Sequence, residues 1–210
     1  MKPLQEKAYE SLRELLIKGD YLPGTLLSEN ELAQLLEMSR TPVRSAISRL
    51  EAEGYLETVK NRGILVKEIT IKEFLDIMEV IISFQHYQFH HMDEKLLQID
   101  VELLKHHLDQ QLECTAQHDY IGYSTHSISF LRTMISGTSN QAMLQIIDGF
   151  FDKILRFSIV NFKRTPHKPH YSANSMNKEI YEAVSIEDYQ KVRQLINQFH
   201  ENILERFSIG

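Results

Sequence analysis

The chain has a single cysteine, Cys114, which excludes an internal disulfide framework and any cysteine-rich zinc site. No stretch approaches the ~18 consecutive apolar residues of a membrane span. Residues 1–20 lack the basic start and apolar run of a secretory signal. There is no GxSxG, no phosphate-binding loop, no GxGxxG and no HExxH, so an enzyme is not expected. A basic balance is missing too. The 23 Lys+Arg face 29 Asp+Glu, net −6, which counts weakly against a nucleic-acid partner. These absences point to a cytoplasmic protein with no membrane association.

What is present is ordinary in bulk. At 210 residues the chain is long enough for one large or two small domains, with 42% apolar and 25% charged residues. Two features are uneven. Residues 1–70 hold 10 Lys+Arg and 11 Asp+Glu, net −1, which leaves −5 for the remainder. All ten histidines follow residue 85: His86, His90, His91, His106, His107, His118, His126, His167, His170 and His200. Histidine is the commonest metal ligand, so a metal-dependent sensor or hydrolase is one alternative to weigh.

The first 70 residues read as helices followed by a hairpin. Leu4, Ala8, Leu12, Leu15 and Leu16 share a helical face, which Gly19 ends before a Pro23-Gly24 turn. Ser28 and Glu31 form a capping box, with Leu27 and Leu32 at the staple positions, and Leu35 and Leu36 continue the apolar face to about Glu37. After a very short turn Thr41 is the expected N-cap of a third helix, with Pro42 at its first position. Val43, Ala46, Ile47 and Leu50 are its buried stripe and Gly54 its stop. Residues 55–59 and 64–69 are rich in β-formers around the turn Lys60-Asn61-Arg62-Gly63.

That order is the winged helix-turn-helix, and the side chains suit it. The N-terminal part of the second helix of such a pair enters the major groove. Here the buried stripe leaves Arg40, Thr41, Arg44, Ser45 and Ser48 facing outward. Arginine matches guanine O6 and N7 bidentately, and hydroxyls suit phosphates or base edges. Lys60, Asn61 and Arg62 are spaced to reach phosphates or a minor groove. Between Ser39 and Lys67 the bases Arg40, Arg44, Arg49, Lys60, Arg62 and Lys67 outnumber the acids Glu51, Glu53 and Glu57. A basic tip on a near-neutral domain is enough for phosphate contacts.

The stretch PGTLLSENELAQLLEMSRTPVRSAISRLEAEGYLETVKNRGILV, residues 23–66, resembles the GntR family of bacterial transcription regulators. By that resemblance Asn30, Ser39, Arg40, Thr41 and Arg44 fall where family members touch operator DNA. Lys60, Asn61, Arg62 and Gly63 fall on the wing tip that enters the minor groove. The resemblance implies a homodimer on double-stranded operator DNA, acting as a repressor. One departure is Glu37, where many members have a turn glycine; a left-handed backbone there costs ~1–2 kcal/mol.

Beyond residue 70 the periodicity is all helical. Thr70 and Glu73 make a capping box opening a helix to about residue 91, and five further helices follow, the fourth of the six capped by Asn140. Among their apolar positions are Leu104, Leu108 and Leu112, and residues 163–174 read as a loop. The expected architecture is therefore mostly α. It has a winged helix-turn-helix domain over residues 1–69 and an all-α six-helix bundle over 70–210, with a hinge near Val66–Thr70. The second part resembles the FadR-type C-terminal (FCD) domain in its shorter six-helix, VanR-like branch.

Many such domains hold a metal on one Asp and three His. The matching positions here are Ser127, Leu131, Asn177 and Phe199, so the resemblance implies no metal and no cofactor. An arginine that meets acidic effectors in relatives falls on Ile81. Ile81, Gln85, Ser127, Leu131, Asn177 and Phe199 then line a largely apolar pocket with a few neutral polar groups, suited to a small-molecule effector. The histidines are expected to be solvated or hydrogen-bonded rather than ligands, with His86–His91 and His106–His107 on polar helix faces. A ligand-free architectural DNA binder is the other alternative.

Overall fold

The structure is a computed structural model that describes residues 2–92, 94–168 and 170–207. The chain divides into two compact units. One holds the chain up to Ile69 together with Ile159–Arg164; the other holds Thr70–Ser158 and the chain from Thr165 onward.

In the first unit the order is α1 (Leu4–Ile17), β1 (Leu26–Leu27), α2 (Glu29–Leu35), α3 (Arg40–Ala52), β2 (Leu56–Val59) and β3 (Gly63–Val66). Its core joins Ala8, Tyr9, Leu12 and Leu16 of α1 to Leu32 of α2, the α3 stripe and Leu56, Ile64 and Val66 of the sheet. Leu4 and Leu35, expected inside, are 57% and 51% exposed. Each lies at the end of its helix, where the neighbouring layer no longer covers the apolar face.

Local chemistry explains the helix starts. The Ser28–Glu31 capping box forms in both directions, with the Glu31 N–H donating to Ser28 Oγ at 3.2 Å and the Ser28 N–H donating to Glu31 Oε2 at 2.9 Å. The N-cap of α3 is Ser39, not Thr41, and Pro42 occupies the third helical position. No N–H of the first turn has an intrahelical partner, so proline is tolerated there as well as at the first position. Glu37 is left-handed, with φ 52°.

The sheet has one strand more than the hairpin expected. β3 lies between β1 and β2, both antiparallel to it, with Leu27 opposite Ile64 and Thr58 opposite Ile64 from the other side. Gly63 makes this possible. Its φ is 111°, and a Cβ there would sit 2.6 Å from the Leu27 carbonyl oxygen.

The second unit is built from α4 (Ile71–His91), a short 3-10 turn (Glu94–Leu96), α5 (Val101–Ala116), α6 (Tyr120–Ser136), α7 (Gln141–Arg164, its last residues counted with the first unit), α8 (Ala173–Ser185) and α9 (Tyr189–Phe207). Asp100, Asp119 and Asn140 cap α5, α6 and α7 by accepting first-turn N–H groups. At α4 only half of the expected box forms. Thr70 Oγ1 accepts the Glu73 N–H, while the Glu73 carboxylate turns to Lys153 Nζ at 2.9 Å. α5 packs along α6 and α8, α8 along α9, and α9 along α4. Phe157 of α7 stacks on Phe74 of α4 at 4.0 Å between centroids. Ile81, Leu104, Ile135 and Ile147 are fully enclosed, whereas Leu112, expected on the apolar face of α5, is 39% exposed.

Candidate functional site

The first unit presents one polar edge. Val43, Ala46, Ile47 and Leu50 anchor one side of α3 in the core, and the 100° step per residue turns Ser39, Arg40, Thr41, Arg44 and Ser45 outward. Asn30 is exposed on α2. In the wing, Lys60, Asn61 and Arg62 are exposed and Gly63 is partly buried beneath them. Asn61 is left-handed at φ 60°, and Arg62 N–H closes the turn onto the Val59 carbonyl at 3.0 Å. The Glu51 carboxylate accepts the Thr58 N–H, tying the end of α3 to the first wing strand.

Two arginines of α3 have different surroundings. Arg49 does not belong to the polar edge. Its guanidinium lies 3.5 Å from the centre of the Tyr9 ring and donates to Glu6 at 3.1 Å and Glu53 at 3.2 Å. Tyr9 hydroxyl also donates to Glu53 at 2.8 Å, so this cluster clamps α1 to α3. Counting Arg49 with the basic tip overlooked partners some 40 residues away in sequence. Arg44 stays on the edge, held by Glu29: Nε donates to Oε1 at 3.1 Å and Nη2 to Oε2 at 2.7 Å. That hydrogen bond, helped by the charges of Arg44 and Arg40, holds the Glu29 carboxyl below the usual carboxylate range.

The second unit contains an interior polar network. Gln111 of α5 donates to Asn174 Oδ1 at 2.8 Å and accepts from Asn177 Nδ2 at 2.8 Å. Asn177 Nδ2 also reaches Ser127 Oγ at 3.4 Å, and Asn174 Nδ2 donates to Thr115 Oγ1 at 3.0 Å. Of the proposed lining residues, Ser127 and Asn177 are thus joined. Ile81 and Gln85 lie buried on α4, and Leu131 and Phe199 are half-buried on α6 and α9. Gln85 Oε1 is buried with no hydrogen-bond partner among the described residues.

Of the four positions matching the metal-holding ones of relatives, Leu131 and Phe199 have no atom that could ligate a metal, while Asn177 donates through Nδ2 to Gln111 and Ser127. Among the described residues no group of three or more His, Cys, Asp or Glu is placed to hold a metal ion.

Not all histidines are solvated. His107 of α5 and His126 of α6 face each other, Nδ1 to Nδ1 at 3.3 Å, with His106 beside them. Burial, then the neighbouring histidines, lowers the pKa of His107; burial and His106 lower that of His126. His86 buries its Nε2, and His170 is 4% exposed with Nε2 at 2.5 Å from the Thr165 carbonyl. His170 also meets Tyr120 edge-on, within a cluster with Tyr123 and Tyr171. The Tyr123 hydroxyl accepts the Ala173 N–H at the start of α8, where Ser172 makes no side-chain cap.

Comparison with known proteins matches residues 4–66 to the bacterial regulatory proteins of the gntR family and residues 94–202 to the FCD domain. The chain belongs to the gntR family. It is a DNA-binding transcription regulator with an FCD domain.

The gluconate operon transcriptional repressor of Bacillus subtilis is 27% identical over 95% of this chain and 82% of its own length. The Uxu operon transcriptional regulator of Escherichia coli is 41% identical, over 31% of this chain and 25% of its own. The fold is shared with a gntR-type regulator of Rhodococcus (TM-score 0.78, 21% identity, covering 97% of this chain and 96% of that one). It is shared also with a Listeria monocytogenes protein described as controlling the agr system (TM-score 0.68, 22% identity, 99% and 97% covered). Among the described residues of this gntR-family regulator no helix is long and apolar enough to cross a membrane.

Sequence reasoning missed Glu29, Gln111 and Asn174. Glu29 carried a faint signal, an acid at the first position of the helix preceding the DNA-reading one. The partners of Gln111 lie 63 and 66 residues away, beyond any local pattern.

Proposed function

We propose that this protein is a ligand-responsive repressor that binds double-stranded operator DNA as a homodimer in the cytoplasm. The carrying observation is the polar edge of the first unit. Asn30, Ser39, Arg40, Thr41, Arg44 and Ser45 are exposed where a major groove would meet α3, and Lys60, Asn61 and Arg62 are exposed at the wing tip. Helix-turn-helix proteins read pseudo-palindromic half-sites as symmetric pairs, and the repressors among the relatives support the sign of regulation. The effector is a small molecule held in the helical unit. Gln85 and Asn177 supply the polar contacts within an apolar lining that includes Ile81, Leu131 and Phe199, and no metal or other cofactor takes part. It acts by binding one arrangement of the dimer better than another.

The test is fluorescence anisotropy on duplexes from the promoter region beside the gene, with a metabolite library screened for a rise in melting temperature. Specific binding that a stabilising compound releases supports the proposal. Tight binding that no compound alters points instead to an architectural DNA binder.

A further inference from the structure

A guanidinium has five N–H donors arranged along two usable edges. The side edge is Nε with one Nη2 hydrogen; the end edge is Nη1 with the other Nη2 hydrogen. In Arg44 the side edge is occupied. Both carboxylate oxygens of Glu29 accept from it, in the parallel, two-bond geometry that fixes direction as well as distance. The end edge remains, and two parallel donors on that edge are what guanine O6 and N7 accept.

Both partners are anchored. Glu29 is the first residue of α2, whose start is set independently by the Ser28–Glu31 capping box. Arg44 follows the buried Val43 on α3. Glu29 also puts a negative charge on the face that meets DNA, where it weakens the pull of a nearby phosphate on Arg44. We infer that Glu29 is a positioning residue that makes Arg44 a guanine reader rather than a phosphate anchor. The inference rests on the reading of α3 as the major-groove helix and adds a specificity-determining residue to it.

A randomised duplex pool enriched on the wild-type protein supplies the half-site, and affinities are then measured on that site, on its single-base variants and on unrelated duplex over a range of salt. Glu29→Gln is neutral and loses the two-bond fork. It is expected to cut the preference for guanine at the Arg44 position about tenfold. Binding to unrelated duplex should be unchanged or tighter, and the salt slope steeper by about one counterion. Glu29→Asp keeps the charge but shortens the reach, and is expected to lose part of the preference; it serves also if Glu29→Gln melts early. Arg44→Ala separates the two levels. If it relaxes one base while both Glu29 variants discriminate as wild type does, the positioning role is wrong and the docking stands. If Arg44→Ala relaxes no base, or the pool yields no enriched site, the docking falls and this inference with it.

Discussion

His107 and His126 share one face of the α5–α6 pair with their Nδ1 atoms 3.3 Å apart. One ring must donate and the other accept, so the pair is stable with both rings neutral and resists a second proton. Both pKa values are lowered in the fold, chiefly by burial. For a base whose folded pKa lies below its unfolded value of about 6.5, the unfolded state binds more protons between the two values. Stability therefore rises with pH there. It is complete above about pH 6.5 and falls as pH drops toward the folded values, while Asp119 pulls the other way on His126. Urea denaturation between pH 5 and 8 is expected to show this loss, and His107→Gln with His126→Gln to flatten it. An unchanged slope in the double variant would remove the pair from the account.

The wing depends on Gly63. An alanine would combine a left-handed backbone with a Cβ 2.6 Å from the Leu27 carbonyl oxygen. Gly63→Ala is expected to cost about 2–3 kcal/mol. Gly24 offers a control, because its φ is 91° but nothing lies within 4 Å of its Cβ position. Gly24→Ala is expected to cost about 1–2 kcal/mol. Equal losses in thermal denaturation would mean that the approach of β1 to β3 places no demand on Gly63.

Arg62 is exposed at the wing tip and donates its backbone N–H to the turn. Arg62→Ala is expected to leave stability unchanged, weaken binding to all duplexes alike and lower the salt slope by about 0.9. A change confined to one sequence would make it a base reader instead.

Asn177 joins Gln111 and Ser127 inside the helical unit. Asn177→Leu leaves the Gln111 carbonyl without its donor and is expected to cost about 1–3 kcal/mol by urea denaturation. The double variant with Gln111→Leu should lose less than the sum of the two single losses, because it removes both partners of one bond, although Asn174 Oδ1 then lacks the Gln111 donor. Strictly additive losses would show that the two amides are not coupled.

The helices and the Ser28 and Asn140 caps were legible because they are local. The spacing of Val43, Ala46, Ile47 and Leu50 and the Ser28–Glu31 box lie within single helical turns, and the structure repeats them. The outward face of α3 followed from the same spacing. What could not be read was pairing at a distance. β1 is two residues long, too short to show an alternation. Glu29 meets Arg44 across 15 residues, and Asn177 meets Gln111 across 66. The start of α3 slipped by two residues because both Ser39 and Thr41 can cap and Pro42 fits either register.

The separation of faces on α3 bears on how such regulators diverge. The residues that hold the helix in place, Val43, Ala46, Ile47 and Leu50, are not the residues that face outward, so on the proposed docking a substitution at Arg40, Thr41 or Ser45 is expected to change what is recognised at little cost to folding. Selection can therefore move this edge from one operator to another in single steps. Arg44 is the exception on this face because its guanidinium is paired with Glu29, so on the proposed docking a change of base at this position is expected to involve both residues.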